Sequence, residues 1–299
     1  MRSGIAILIL LFFAFTLYAE TAASLDNTLS RSERYDIYQK ALQIAAENGN
    51  AFEVSMEAIP KYRNTPGLIP FNSEKVKMLS KKMSRFNAKA NLAKWDWRDH
   101  DGVTPAKNQG ACGSCWDFAA TANLEHSIKC FDSLEVDLSE QDLLNCNKQG
   151  YDCTGGQLDC SEYFLNGAAL EADCKYKATT EACSTGLTRA YNIKDWAFFT
   201  EDVEMMKSCI YYYGSIVTVV DADDPGFKAY SKGIYNVKGG TPNHAILAVG
   251  WDDSDEVFII KNSQMGEAWG DKGYGKVKYG CACIGQENVV IDYKGQLAH

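Results

Sequence analysis

Proline and histidine are scarce, with 6 and 4 copies among 299 residues. So little proline excludes collagen-like and proline-rich architectures, and 46% hydrophobic with 23% charged residues excludes a disordered or low-complexity chain. A surplus of positive charge is missing too. The 39 Asp and Glu outnumber 30 Lys and Arg, a net charge of -9, which is the wrong sign for life on phosphate backbones or anionic membranes; nucleic acid is excluded as a partner. No Asn-x-Ser/Thr acceptor occurs, so N-glycosylation is not implied. No fixed-period repeat is visible.

An apolar run long enough to span a bilayer is absent as well. IAILILLFFAFTLYA, residues 5–19, follows Arg2 and falls short of the roughly 20 residues a spanning helix requires. We read residues 1–19 as a cleaved secretory signal, with small residues at Ala19 and Ala23 as cleavage points, and expect no stable membrane insertion once it is removed. Cysteine, by contrast, is plentiful. A chain of this length buries a core without needing disulfides, so 11 Cys indicate an oxidising compartment: the secretory pathway, ending outside the cell or in an acidic, lysosome-like vesicle.

Residues 20–90 differ in character from the rest. They carry no Cys, and hold 11 basic against 8 acidic residues, whereas residues 91–299 hold 18 against 31. SERYDIYQKALQIAAE predicts a helix, NTPGLIP breaks it, and the basic stretch KVKMLSKKMSRFNAK follows. A cationic segment ahead of an anionic, Cys-rich one fits a removable pro-segment over residues 20–90 that inhibits residues 91–299 intramolecularly. Beyond it the pattern divides in two. Helical spacing runs from about Ser114 through WDFAATANLEHSIKC, Ser139 is a candidate N-cap for LSEQDLLNC, and QLDCSEYFLNGAAL predicts another helix. From Trp196 onward the segments SIVTVV, HAILAVGW, VFIIKN, YGKVKY and NVVIDY predict a mostly antiparallel sheet. The expected fold is α+β with two lobes, helical over about 100–195 and β over about 196–299, and a cleft between them.

An odd Cys count leaves one thiol unpaired if the others bond within the chain, and Cys115 in QGACGSCWDF is the best candidate nucleophile. It opens a predicted helix, where free backbone N–H groups and the dipole favour a thiolate. Gly110 and Gly113 leave room for a substrate backbone. The rival reading of Cys112-x-x-Cys115 as a redox pair or half a zinc site lacks a βαβ context or a second C-x-x-C, so no metal site is expected. A thiolate needs an acid/base partner. His126 lies 11 residues along the same helix, about 16 Å away at the usual rise, His299 is the last residue, and His100 has no evident orienting group. His244, at the head of HAILAVGW, remains, with Asn262 at the end of VFIIKN as the amide that fixes its tautomer.

Taken in order, QGACGSCWDF, LSEQDLLNC, CTGG, PNHAILAVGW and IIKNS resemble the papain-like cysteine proteases, including cathepsins, over about residues 95–290. The resemblance implies a two-lobed fold with Cys115 as nucleophile, His244 as acid/base and Asn262 as its orienter. It also places Gln109 and the Cys115 N–H in an oxyanion hole. It implies that Gly155 and Gly156 pair with an extended peptide, and that Leu158, Val219 and Ala245 line an apolar pocket for the residue two positions before the cut bond, where Glu287 could admit Arg. It implies disulfides Cys112–Cys153 and Cys146–Cys183, leaving Cys130, Cys160, Cys174, Cys209, Cys281 and Cys283 in any of 15 pairings.

Two positions depart from the family pattern. Gln264 stands where the family has Trp after Asn-Ser, with one extra residue before Trp269, so the Asn262-to-His244 bond is expected to be less shielded. Asp117 replaces a small residue near the nucleophile, where a carboxylate would raise the thiol pKa. The N-terminal segment also lacks the family's usual inhibitor-helix motif. The expectation is a secreted or lysosomal cysteine endopeptidase made as a zymogen, a monomer acting on peptides and proteins without a cofactor. The alternatives are a catalytically inactive binding protein of papain shape or a thiol acyltransferase.

Overall fold

The structure, a computed structural model, describes residues 27–63, 67–80, 86 and 89–297. The expected signal stretch, part of the basic run and His299 lie outside the described residues.

The chain opens with α1 (Arg31–Glu47), set by a capping box in which the Ser30 hydroxyl takes the Glu33 N–H and the Glu33 carboxylate takes the Ser30 N–H. Short elements follow: β1 (Phe52–Val54), α2 (Ser73–Leu79) and β2 (Lys94–Asp96). The helical lobe is built on α3 (Cys115–Asp132), buried along most of its length, and α4 (Glu140–Cys146), which Ser139 caps by accepting the Asp142 N–H. The stretch predicted as a further helix forms a 3-10 turn over Leu158–Asn166. Its end is set by Gly167, whose added Cβ would lie 2.4 Å from the Arg189 carbonyl oxygen.

The second lobe contains β3 (Asp195–Phe199), α5 (Val203–Tyr213), β4 (Ile216–Val220), α6 (Pro225–Ala229), β5 (Tyr230–Tyr235), β6 (His244–Asp252), β7 (Val257–Lys261), β8 (Tyr274–Lys278) and β9 (Asn288–Asp292). The helix α5 was not expected from the sequence. The sheet runs β1-β5-β8-β7-β6-β4-β9-β3, with β2 also on β6, and every pairing is antiparallel except β5 with β8. Strands β4 and β7 are buried throughout and β6 over eight of its nine residues, which is why they read as continuous apolar runs. Two pairings cross the division drawn from sequence. Residues 94–96 reach from the helical side to β6, and β1 adds a strand of the N-terminal segment to the edge at β5.

One contiguous apolar core joins the lobes, with α3 packed on β6. Trp269 anchors the β side: its ring lies 5.1 Å from Phe227 and 4.9 Å from Tyr230, and its indole N–H donates to the Phe227 carbonyl at 2.7 Å. Truncating so large a buried ring leaves a cavity and an orphaned carbonyl. Trp269→Ala is expected to lower unfolding free energy by about 3–5 kcal/mol, read as a shifted urea midpoint at unchanged slope.

Candidate active site

Cys115 is the first residue of α3 and His244 the first of β6, so packing the helix on the strand brings both to the lobe boundary. The sulfur accepts the Ala245 N–H at 3.3 Å, one residue beyond the imidazole. The His244 Nε2 lies 2.7 Å from Asn262 Oδ1, and Asn262 directly follows the end of β7, the neighbouring strand. Asn262 Oδ1 also accepts the Gln264 N–H at 3.0 Å. The extra residue at this turn is absorbed by left-handed backbone at Met265 and Gly266, with φ of 66° and 54°, and Trp269 sits in the core described above. The hydrogen bond from the imidazole is short without the expected Trp beside it.

Gln109 is nearly buried. Its backbone N–H donates to the Ser263 carbonyl at 3.0 Å, its Oε1 accepts the Ser263 hydroxyl at 2.8 Å, and its Nε2 donates to the Cys112 carbonyl at 3.0 Å. An amide nitrogen has a second hydrogen to offer. Tyr176, which sequence reasoning missed, lies 2.7 Å from the Ser114 hydroxyl and donates to the Gln109 carbonyl at 2.9 Å. One phenol therefore ties the residue before Cys115 to Gln109. Its place in a loop between two Cys gave no signal.

The groove is filled by the chain itself. Gly67 lies against the sulfur so closely that an added Cβ would be 2.7 Å from both Cys115 Sγ and the Gly113 carbonyl oxygen. Gly156 donates to the Gly67 carbonyl at 2.9 Å and accepts the Ile69 N–H at 2.8 Å. Only glycine fits at 156, because a Cβ would strike the Trp116 ring at 2.7 Å. Gly155 makes neither bond; it closes a turn with Asp152. Leu158, Val219 and Ala245 are fully buried, and the Glu287 carboxylate accepts the Phe71 N–H at 2.9 Å. Beside Gln109, a cavity of about 360 Å³ opens between Arg63, Tyr176, Gln264 and Met265.

Covering reverses the expected charge state. The helix terminus does favour a thiolate, but burial outweighs it and pushes the Cys115 thiol up to about 12. Burial likewise pulls the His244 imidazole down to about 4, against the opposing pull of the Asn262 hydrogen bond and the charge of Asp223. The covered pair is neutral on both sides.

Asp117 also differs from expectation. It lies fully buried on α3, accepting the Thr121 hydroxyl through Oδ1 at 3.2 Å, with Oδ2 unpartnered. Burial and then the Glu140 charge raise its pKa well above the ordinary carboxylate value, so both oppose a negative charge beside the nucleophile. Of the other imidazoles, His126 is buried against Trp97, its pKa pushed down by burial to about 3, and His100 stacks on Trp95 at 3.9 Å.

The disulfides are Cys112–Cys153 and Cys146–Cys183, so Cys112 is not a redox or metal partner of Cys115. The other six Cys, expected to pair in some order, are free thiols alongside Cys115.

A thiol at the head of a helix, an imidazole on the first residue of a facing strand and an amide fixing that imidazole define a two-lobed α+β protein of the Cys–His–Asn type. The chain belongs to the papain family of cysteine proteases, whose family model matches residues 92–292. It is 37% identical over 193 residues to a viral cathepsin of Heliothis zea nuclear polyhedrosis virus, covering 62% of this chain and 52% of that protein. The chain spans about half the length of the curated relatives it matches. Among solved structures, bromelain from Ananas comosus with the E64 inhibitor is 32% identical with a TM-score of 0.63, covering 68% of this chain and all of that one. A recombinant stem bromelain precursor is 25% identical with a TM-score of 0.69, covering 94% and 99%.

Two outcomes are expected. Gly67→Val should push the cover off the sulfur and raise the rate of Cys115 alkylation in the full chain at least about tenfold at neutral pH, measured by mass spectrometry of the labelled peptide. In a Cys115→Ala background, Asp117→Asn should gain on the unsubstituted chain by about 1.4 kcal/mol per pH unit as pH rises above about 5. The sign follows because a carboxyl whose folded pKa is raised costs stability once the unfolded chain can ionise. Urea melts at successive pH values measure it.

Proposed function

We propose that this chain is the zymogen of a cysteine endopeptidase, with residues 20–90 as its pro-segment and residues 91–299 as the peptidase. The observation that carries the reading is the extended segment in the groove. Gly67 lies on the sulfur and Gly156 hydrogen-bonds the strand through its backbone, which is how a peptide substrate would be held irrespective of its side chains.

Once the cover leaves, water reaches the groove and the two burial shifts relax toward a thiolate and an imidazolium. The thiolate attacks the peptide carbonyl carbon, forming the S–C bond. The carbonyl oxygen takes the electron pair and the N–H groups of Cys115 and Gln109 Nε2 receive it. As the C–N bond breaks, His244 gives its proton to the departing amine, leaving a thioester. Water then attacks the thioester with His244 as base, and the thiolate is released. Asn262 keeps the imidazole oriented throughout. Leu158, Val219 and Ala245 favour an apolar residue two positions before the cut bond.

Among the described residues, ion pairs between the pro-segment and the peptidase run in both directions. Lys75–Asp159, at 2.7 Å, has its base on the pro-segment, whereas Glu53–Lys232, at 3.1 Å, has it on the peptidase. The two disulfides fit synthesis in the secretory pathway, with an extracellular or acidic vesicular destination. The short His244–Asn262 bond favours an active enzyme over an inactive binding protein.

The expected activity is hydrolysis of fluorogenic peptides with Phe or Leu at the second position by acid-processed protein. Cys115→Ala and His244→Ala should abolish it, and Gln109→Ala should lower kcat by about 10²–10³-fold with little change in KM. Retained hydrolysis in Cys115→Ala would overturn the reading.

A further inference from the structure

The pro-segment leaves more than a covered sulfur. Lys75, in α2, holds its half-buried ammonium 4.9 Å from the Phe71 ring centroid of its own segment, while the cradle of its polar partners comes from the peptidase: 2.7 Å from Asp159 Oδ2, 2.8 Å from Gln157 Oε1 and 3.5 Å from the Tyr151 phenol oxygen. The acceptors are organised by one another. The Tyr151 phenol lies 2.8 Å from Asp159 Oδ1 and 3.0 Å from Gln157 Oε1, so its hydrogen is shared between them and its oxygen faces the ammonium. Asp159 is 7% exposed and opens the rigid turn Leu158–Asn166. A nearly buried carboxylate that loses its one ammonium partner among the described residues faces a desolvation cost that a second cation would remove.

The cradle's place along the groove is fixed by the strand beside it. Gly67 lies on the sulfur, Ile69 bonds Gly156, and Pro70 accepts the Gln157 side-chain N–H at 3.2 Å. Gln157 and Asp159 flank Leu158, which lines the proposed pocket for the second residue before the cut bond. The cradle thus serves the position one step further from the sulfur.

We infer that Tyr151, Gln157 and Asp159 form a cation site that selects Lys or Arg three positions before the cut bond, and that Lys75 occupies this site in the zymogen. The substrate preference rests on the endopeptidase reading; the cation site itself does not.

Two experiments separate these. Processed protein is given fluorogenic peptides with Leu second and Lys, norleucine or Glu third. Lys is expected to exceed norleucine about tenfold in kcat/KM, mostly through KM, with Glu lowest, and Asp159→Asn should bring the Lys-to-norleucine ratio close to one. Equal cleavage of Lys and norleucine peptides, or a ratio unmoved by Asp159→Asn, overturns the preference. Absence of cleavage of any peptide counts against the endopeptidase reading instead. The site is then judged on the full chain. Lys75→Met should speed iodoacetamide labelling of Cys115 at least about fivefold, while Lys75→Arg keeps the original rate. Labelling rates that are the same in all three proteins overturn the cation site.

Discussion

The contact on which the molecule turns is the one between the head of α3 and the head of β6, where the Cys115 sulfur meets the Ala245 N–H. It joins the two lobes at the point where a helix terminus offers unpaired donors and a strand supplies a ring with a rigid ladder behind it. Everything else positions or protects that contact. β7 brings Asn262 to the imidazole, Ser263 and Tyr176 hold Gln109, and the apolar core running through both lobes keeps the heads in register.

The same contact explains why the thiol and the imidazole rest uncharged. A thiolate and an imidazolium stabilise one another where water and dipoles support both charges, and laying Gly67 over the sulfur removes the water. Desolvation penalises the charged form of each partner, so the thiol rises and the imidazole falls, and the pair rests neutral. Filling the groove and discharging the pair are therefore one physical act. The cover is held by backbone bonds to Gly156, by the Glu287 carboxylate on one lobe and by the Lys75 cradle on the other.

Much of this was legible in order along the chain, because the site depends on local features. A Gly-rich turn before a helical pattern placed Cys115, and a β-branched run after Asn placed His244. Elimination among four imidazoles pointed to the one that meets Asn262, while His126 and His100 pack against aromatic rings. Other features were invisible because they depend on burial. Asp117 reads as a surface charge but lies buried with its pKa raised, since nothing in its neighbours along the chain shows that α3 is buried on that face. The sequence after Leu158 has helical spacing but folds as a 3-10 turn, because the chain is stopped by a close approach to Arg189. Cys counting suggested further disulfides; the other six sulfurs are free thiols, a matter of distance that no spacing rule supplies.

By itself the amino-acid sequence determined the family and the α+β division, and it singled out Cys115, His244 and Asn262 as candidates, because each rests on residue type and short-range periodicity. Tertiary structure alone decided the protonation state of the Cys115–His244 pair, the single glycine that pairs with the covering strand, and the cradle around Lys75. Those depend on solvent exclusion and on contacts between residues more than eighty positions apart, such as Lys75 and Asp159. Such terms exist only once the chain has closed on itself.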